Sequence, residues 1–378
     1  MPKFTKGINL SKVEFSYLYK DGPAKMRYKI AYKDGTYRAL FYFDLKKVSP
    51  KDDVKNFTLV SQKKFTSGKE SIIEPLTKYT SKSNNTSVYE LTFKVDPEHD
   101  YLVVKFNFLT DPYVFDIPVN NGLAFPLPDF ICKMPSADQI TVKAMDSLTY
   151  EKIGRGSAKY YGYFYKDHFS PSFPPFSTEV PDANKRFVIE KMESTSYGFS
   201  VPLEHYLYYF QTDTSSKKGV SFYSYKDYFP NTKKVDELIE PLIYIATESE
   251  YKKLDNARDK KNAFDNFWLS LIPSQKLAAR TLRNYFRRVT QANIIFANYK
   301  AGWKTDMGMI YILYGPPDKV FRGEDGETWE YNDFDGKLKF SFAKVPNLFT
   351  QFHYSINRSK NLTNPWYSQV EKWRKGDS

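Results

Sequence analysis

The sequence predicts a multidomain protein. An all-β N-terminal part, β-sandwich-like and made of two β regions, is followed by an α+β C-terminal domain with two helices and an antiparallel hairpin or three-stranded sheet. Three observations predict this. Short runs of alternating apolar and polar residues, rich in Tyr and Phe, fill the first two thirds, with turn signals about every 10 residues. Near residue 247 the apolar period changes from 2 to 3.6. After a Gly-Pro-Pro turn, alternation returns around Asp-Gly. A chain of 378 residues is long enough for two or three separate cores. The expected boundaries are 1–118, 119–246 and 247–378.

In the first region, strands are expected at 13–19, 26–32, 37–43, 57–60, 88–95 and 101–108, with Asp21-Gly22 and Asp34-Gly35 as turns. Thr80 to Ser87 reads as a polar loop. The second region is broken by Pro126, Pro128, Pro171, Pro174, Pro175 and Pro181. Strand pieces remain there at 140–144, 160–165, 187–189 and 206–210. Tyr161, Tyr163 and Tyr165 share one strand face; a buried face is the favoured reading and a glycan platform the alternative.

Thr247, with Glu248 and Glu250 behind it, is an N-cap for a helix expected from about 248 to 271. Ser274 caps a second helix reaching about Tyr299. Its apolar stripe is Ala278, Leu282, Tyr285, Val289, Ala292, Phe296 and Tyr299. Opposite lie Lys276, Arg280, Arg283 and Arg287, a basic ridge that is solvated or a partner surface. Thr305 as N-cap, Asp306 in the first turn, Gly315 as left-handed stop and Pro316-Pro317 frame a short helix over 306–314. Ile310, Tyr311, Ile312 and Tyr314 also suit a strand; the caps tip the balance to helix. Beyond it, 327–331 and 337–342 alternate around Asp335-Gly336 as a hairpin, with Phe352 and Tyr354 in a third strand. The tail after Arg358, with Trp366 and Trp373, either packs back or forms an arm.

Aromatic residues make up 18 % of the chain, with 31 Tyr and 31 Phe, which excludes a disordered protein. The net charge of +12 divides into +7 up to residue 115, −2 to 246 and +7 beyond. With no long Lys/Arg block, a solvated basic surface is favoured over a nucleic-acid site. An anionic surface is another neighbour that this charge allows. A single cysteine, Cys132, excludes an intramolecular disulfide and a Cys metal cluster. No segment has the roughly 18 continuous apolar residues of a membrane helix, and the opening Met1-Pro2-Lys3-Phe4 is not a signal peptide.

The most motif-like stretch is Gly302-Trp303-Lys304-Thr305-Asp306, followed by Met309 to Asp318. Upstream, in order, stand Tyr244-Ile245-Ala246-Thr247, Phe264-Asp265-Asn266-Phe267-Trp268 and Tyr285-Phe286-Arg287-Arg288-Val289. This series resembles the signature of the GWxTD-domain family of bacterial envelope proteins, mainly of the Bacteroidota. Many relatives carry Arg where this chain has Met307 and Met309, so no role of those arginines transfers. The run from Gly315-Pro316-Pro317-Asp318 through Trp329 and Tyr331 to the hairpin is also similar to small outer-membrane assembly lipoproteins of the SmpA/OmlA type. These resemblances imply a periplasmic or outer-membrane protein, lipid-anchored in its native form by a signal absent from this chain. They imply partners among outer-membrane β-barrel or secretion-machine subunits. For Gly302, Trp303, Thr305, Asp306, Gly315, Pro316, Pro317, Trp329 and Tyr331, capping, turning and packing account for the residue types, with docking as the alternative. Asp318 is the least explained.

The sequence contains no Walker A loop, no G-x-S-x-G elbow, no H-E-x-x-H and no dinucleotide fingerprint. His99, His168, His205 and His353 are scattered, so no metal is expected. Asp333 and Asp335 begin like a calcium loop but lack its terminal Glu. Glu324, Asp325 and Glu327 form an acidic patch without an acid/base partner, and no cofactor is implied. The leading reading is a non-enzymatic interaction or scaffold subunit of an outer-membrane machine, for barrel assembly or protein secretion. A glycan- or peptidoglycan-binding protein is the alternative, and a hydrolase the third.

Overall fold

A computed structural model describes residues 4–22, 24–45, 57–83, 86–106, 113–133, 147–154, 158–166, 169–179, 187–196, 201–202, 206–333 and 336–377. The N-terminal region is a sandwich of two antiparallel sheets. One has the spatial order Ala24–Lys33, Thr36–Leu45, Thr86–Phe93, Thr77–Ser83. The other runs Phe4–Lys6, Lys69–Ile72, Phe57–Gln62, Tyr101–Phe106, Tyr113–Pro118. Asp34 and Gly35 both take positive φ, 49° and 76°, so the first hairpin closes in the tight turn expected of Asp-Gly.

The second sheet is apolar on both faces. Leu59, Leu102, Val104, Phe115 and Ile117 meet Phe41, Phe43, Leu91 and Phe93 in the sandwich core. Val60, Tyr101, Val103 and Val114 point the other way and pack beneath the C-terminal domain. Strand alternation thus places one sheet between two cores.

Two sequence expectations in this region change. Residues 13–19 are not a strand: 3-10 turns occupy Leu10–Lys12 and Ser16–Leu18. Glu14 explains the turn, since its carboxylate accepts from the backbone N–H of Ser16 at 2.7 Å and of Val320 at 2.8 Å. Phe15 and Tyr19 are buried in the core shared with the C-terminal domain. The expected polar loop is largely strand, because Thr77–Ser83 pairs with Thr86–Phe93; residues 84 and 85 lie outside the described set. So do residues 107–108 and the expected strand at 140–144.

The second region has a three-stranded sheet, Phe130–Lys133, Ser147–Lys152, Val201–Pro202. It faces a four-stranded one, Lys191–Ser196, Lys159–Tyr165, Leu207–Gln211, Val220–Tyr223. Phe130, Cys132, Leu148, Tyr150, Tyr160, Phe164, Tyr208 and Phe210 fill the space between. The strand expected at 187–189 begins instead at Lys191.

Among the described residues six α-helices follow: α1 Val235–Ile239, α2 Glu248–Asp255, α3 Lys260–Leu271, α4 Gln275–Phe296, α5 Asp306–Tyr314 and α6 Thr363–Lys375. The single helix expected over 248–271 is therefore two. Asn256 turns its amide back onto Lys252 O at 2.9 Å, and Asp259 caps α3 by accepting from Asn262 N–H at 3.0 Å. These local bonds compete with helix continuation. The hairpin Gly326–Asp333 and Gly336–Lys344 forms as expected, but its sheet has four strands, Lys319–Arg322 on one edge and Tyr354–Ile356 on the other. The tail packs back, burying Trp366, Val370 and Trp373 of α6. Among the described residues, no helix is long and apolar enough to cross a membrane.

Candidate functional site

Residues 302–306 sit where α4 ends and α5 begins. Gly302 opens a 3-10 turn, Gly302–Lys304, pressed against both helices. A Cβ on Gly302 would lie 2.0 Å from Ala292 O and 2.9 Å from Ala297 N. A Cβ on Gly308 would lie 1.9 Å from Gly302 O. Both glycines are required by close backbone approach.

Trp303 is buried, at 6 % exposure. Its N–H donates to Asn293 Oδ1 at 3.2 Å and its carbonyl accepts from Tyr244 OH at 2.8 Å. Lys304 Nζ lies 5.1 Å from the Trp303 ring centre and 3.6 Å from Glu240. Thr305 is the N-cap of α5: its Oγ1 accepts from Gly308 N–H at 2.9 Å and donates to Gly302 O at 2.7 Å. Asp306 is buried and accepts from Arg358 through both oxygens, Nη2 to Oδ1 at 2.9 Å and Nη1 to Oδ2 at 3.2 Å. It also accepts from Ile356 N–H at 2.8 Å. One carboxylate thus fastens the first turn of α5 to the last strand of the sheet, and Arg358 continues to Phe173 O at 3.3 Å in the second β region.

α5 is buried along its whole length except for half-buried Tyr314, which explains why apolar periodicity could not distinguish helix from strand. It stops at Gly315, with φ 82° and ψ −166°, a positive-φ conformation open to glycine but outside the left-handed helical region expected. Its last carbonyls are heavily satisfied. Leu313 O accepts from Arg288 Nη1 at 2.8 Å, Gln369 Nε2 at 2.8 Å and Trp373 Nε1 at 3.0 Å. The Arg288 guanidinium also lies 4.9 Å from the Trp373 ring centre. Burial pulls the Arg288 pKa below its ordinary value, and its position at a helix C-terminus favours the charge. Pro316 is exposed and Pro317 buried. Asp318, exposed, receives Asn332 N–H at 2.7 Å while its own N–H donates to Glu330 O at 3.0 Å. That fixes the register at the start of the sheet.

Trp329 is fully buried, its ring against Tyr19 at 4.7 Å and Phe342 at 4.9 Å. Tyr331 OH donates to Gly315 O at 2.9 Å, tying the sheet to the end of α5.

A buried charged cluster lies beside this assembly. Arg322 pairs with Asp116 of the sandwich and with Glu327 at 2.9 Å. Glu327 also accepts from Tyr19 OH at 2.6 Å and Trp329 Nε1 at 3.1 Å. Burial disfavours the Arg322 charge, but Asp116 and Glu327 outweigh it and hold the guanidinium firmly protonated. Burial and the Glu327 charge push the Tyr19 phenol well above its usual pKa. The expected acidic patch is therefore split, with Glu327 buried and Glu324 and Asp325 exposed.

Two cavities flank the 302–306 turn. The larger, about 750 Å³, is lined by Phe222, Tyr225, Phe229, Phe352, Arg322 and Thr305 among others. The smaller, about 210 Å³, is lined by Trp303, Lys304, Glu237 and Glu240 together with shared Tyr225 and Phe229. Tyr225 and Phe229 stack at 3.8 Å in the wall common to both. The Tyr161, Tyr163 and Tyr165 face gives no open platform: Tyr165 is buried against Phe349, and the other two are half-buried. Lys276, Arg280, Arg283 and Arg287 are all exposed on the outer side of α4, away from both cavities' described walls.

The structure thus brings Gly302, Trp303, Thr305, Asp306, Gly315, Trp329 and Tyr331 into one fastening and leaves the basic ridge outside it. Sequence reasoning missed Arg288, Arg358, Asp116 and Arg322. Arg288 stands inside a signature run but with no role read for it, and none of the four roles shows locally, since each acts on a partner distant in sequence. Asp335, His168 and His205 lie outside the described residues. Among the described residues, no group of three or more His, Cys, Asp or Glu is placed to hold a metal ion.

Residues 206–375 match the GWxTD domain family. The match starts at the strand Leu207–Gln211 and takes in the helices, the 302–306 turn and the four-stranded sheet. No curated protein matches the chain.

Proposed function

We propose that this chain is a non-enzymatic interaction or scaffold subunit of a bacterial outer-membrane machine, for barrel assembly or protein secretion, held at the periplasmic side of the envelope by an N-terminal lipid anchor. One observation carries the reading: the signature side chains are taken up in fastening. Trp303, Thr305 and Asp306 are buried at 6 %, 5 % and 6 % exposure; although Trp303 and Thr305 contribute to the cavity walls, the Trp303 backbone, the Thr305 hydroxyl and the Asp306 carboxylate are all taken up in hydrogen bonds that hold the turn, and none is paired with an acid/base partner. The envelope location rests on the resemblance of the signature to that family. Copurification tests it: solubilise the native envelope in mild detergent, recover the protein and identify what accompanies it by mass spectrometry. Stoichiometric recovery with a β-barrel or secretion subunit is expected; recovery alone contradicts the scaffold reading.

A second reading, glycan binding, is favoured by the cavity of about 750 Å³ with aromatic walls, since aromatic faces and scattered polar groups suit sugar rings. Titration with soluble peptidoglycan fragments, followed by calorimetry, separates the two. The scaffold reading predicts no saturable heat.

A further inference from the structure

The outer face of α4 is chemically one-sided. From Asn266 to Thr305 the sequence contains no Asp or Glu, although 44 of 378 residues are acidic. Within that span Lys276, Arg280, Arg283 and Arg287 stand at spacings of four, three and four. On a helix this makes a straight row about 16 Å long, opposite the buried Ala278, Tyr285, Val289, Ala292 and Phe296. All four are exposed, and among the described residues none is within ion-pair distance of a carboxylate. On the other helices of this domain several cations are paired, Lys252 with Glu248, Lys260 with Asp236, Lys261 with Asp265 and Arg374 with Glu250. Seven residues beyond Arg287, in the same phase, Ile294 is 58 % exposed.

We propose that this face docks an acidic amphipathic helix of a partner protein, with Asp or Glu at alternating three- and four-residue spacing and an apolar residue set against Ile294. The inference rests on the scaffold reading and specifies its partner. A 4-3-4 row matches side chains on a second helix, which share its period. Three of the four cations are Arg, whose forked donors suit carboxylates. Ile294 adds an apolar contact at the end of the row, giving the docking a fixed register that charge alone lacks.

The test uses the full chain and two labelled synthetic helical peptides of identical composition. One carries Glu at the matching spacing with a terminal Leu; the other has the Glu positions scrambled. Fluorescence anisotropy is read at low and physiological salt, beside flotation with vesicles of phosphatidylcholine and phosphatidylglycerol. The matched peptide is expected to bind about tenfold or more tighter than the scrambled one, weakening with salt. The triple variant Arg280→Glu, Arg283→Glu, Arg287→Glu is expected to lose that binding with an unchanged melting temperature. Equal binding of both peptides, binding to vesicles alone, or no binding at all overturns the proposal. Copurification of the triple variant separates the two levels. A partner recovered equally with wild type and variant leaves the scaffold reading standing and removes the α4 face; no partner with wild type removes the scaffold reading itself.

Discussion

Asp306 and Arg358 show what a single pair does here. Their side chains are 8 % and 10 % exposed, and Asp306 also holds Ile356 N–H. Removing one partner strands the other as a buried charge. Asp306→Ala is therefore expected to lower unfolding free energy by about 3–5 kcal/mol, whereas Asp306→Leu with Arg358→Met, which removes both charges, is expected to lose clearly less. Urea denaturation of the single and double variants checks this; a double variant as weak as the single one would count against an ion-pair role. The caps at Thr247, Ser274 and Thr305 were legible because each bonds within three residues. Arg358 was not, because it lies 52 residues from Asp306 and nothing local marks it. Arg288 escaped for a related reason: it is the neighbour of ridge residue Arg287, rotated about 100° around the helix toward α6.

Among the elements, α5 was readable by its ends and ambiguous in its middle. Caps and the Gly-Pro-Pro stop located it, while its burial erased any period. Its glycine yields a prediction of unusual sign. Helix propensity alone says that Gly308→Ala stabilises by about 1 kcal/mol. The added methyl would instead meet the Gly302 backbone, with O at 1.9 Å and C at 2.8 Å, so a loss of about 3 kcal/mol or more is expected. Thermal melting decides, since a raised melting temperature would mean the turn can move aside. The break between α2 and α3 was missed because capping at Asn256 and Asp259 overrode a continuous helical pattern. The edge strand Lys319–Arg322 was missed because four residues are too few for alternation to register.

Across the molecule, the fold class followed from alternation, but the way the regions share cores did not. Phe15 and Tyr19 looked like strand residues; they belong to the C-terminal core, a placement set by tertiary partners. Within the C-terminal domain the ion pair of Glu250 with Arg374 ties α2 to α6, and it gives stability a pH dependence. Hydrogen bonds from Arg374, working against burial and helped by Thr247 N–H, hold the Glu250 carboxyl down at about 2. An unfolded Glu titrates near 4.3. The contribution is therefore present above about pH 4.3 and is lost as pH falls toward 2. Because the pair is partly solvated, Glu250→Gln should cost only about 0.5–1 kcal/mol at pH 7, and the gap from wild type should narrow steadily between pH 5 and pH 2.5 in urea titrations. A gap constant with pH would mean that the pair contributes nothing. The role given to the whole C-terminal domain depends on the 302–306 turn fastening the fold rather than performing chemistry. Chemical denaturation of Trp303→Ala, run in parallel with copurification of the same variant, decides the matter. A loss of about 3–5 kcal/mol is expected, as for a large buried aromatic, with partner recovery falling only as the folded population falls. Unchanged stability with partner recovery abolished would contradict that role and make Trp303 a contact residue.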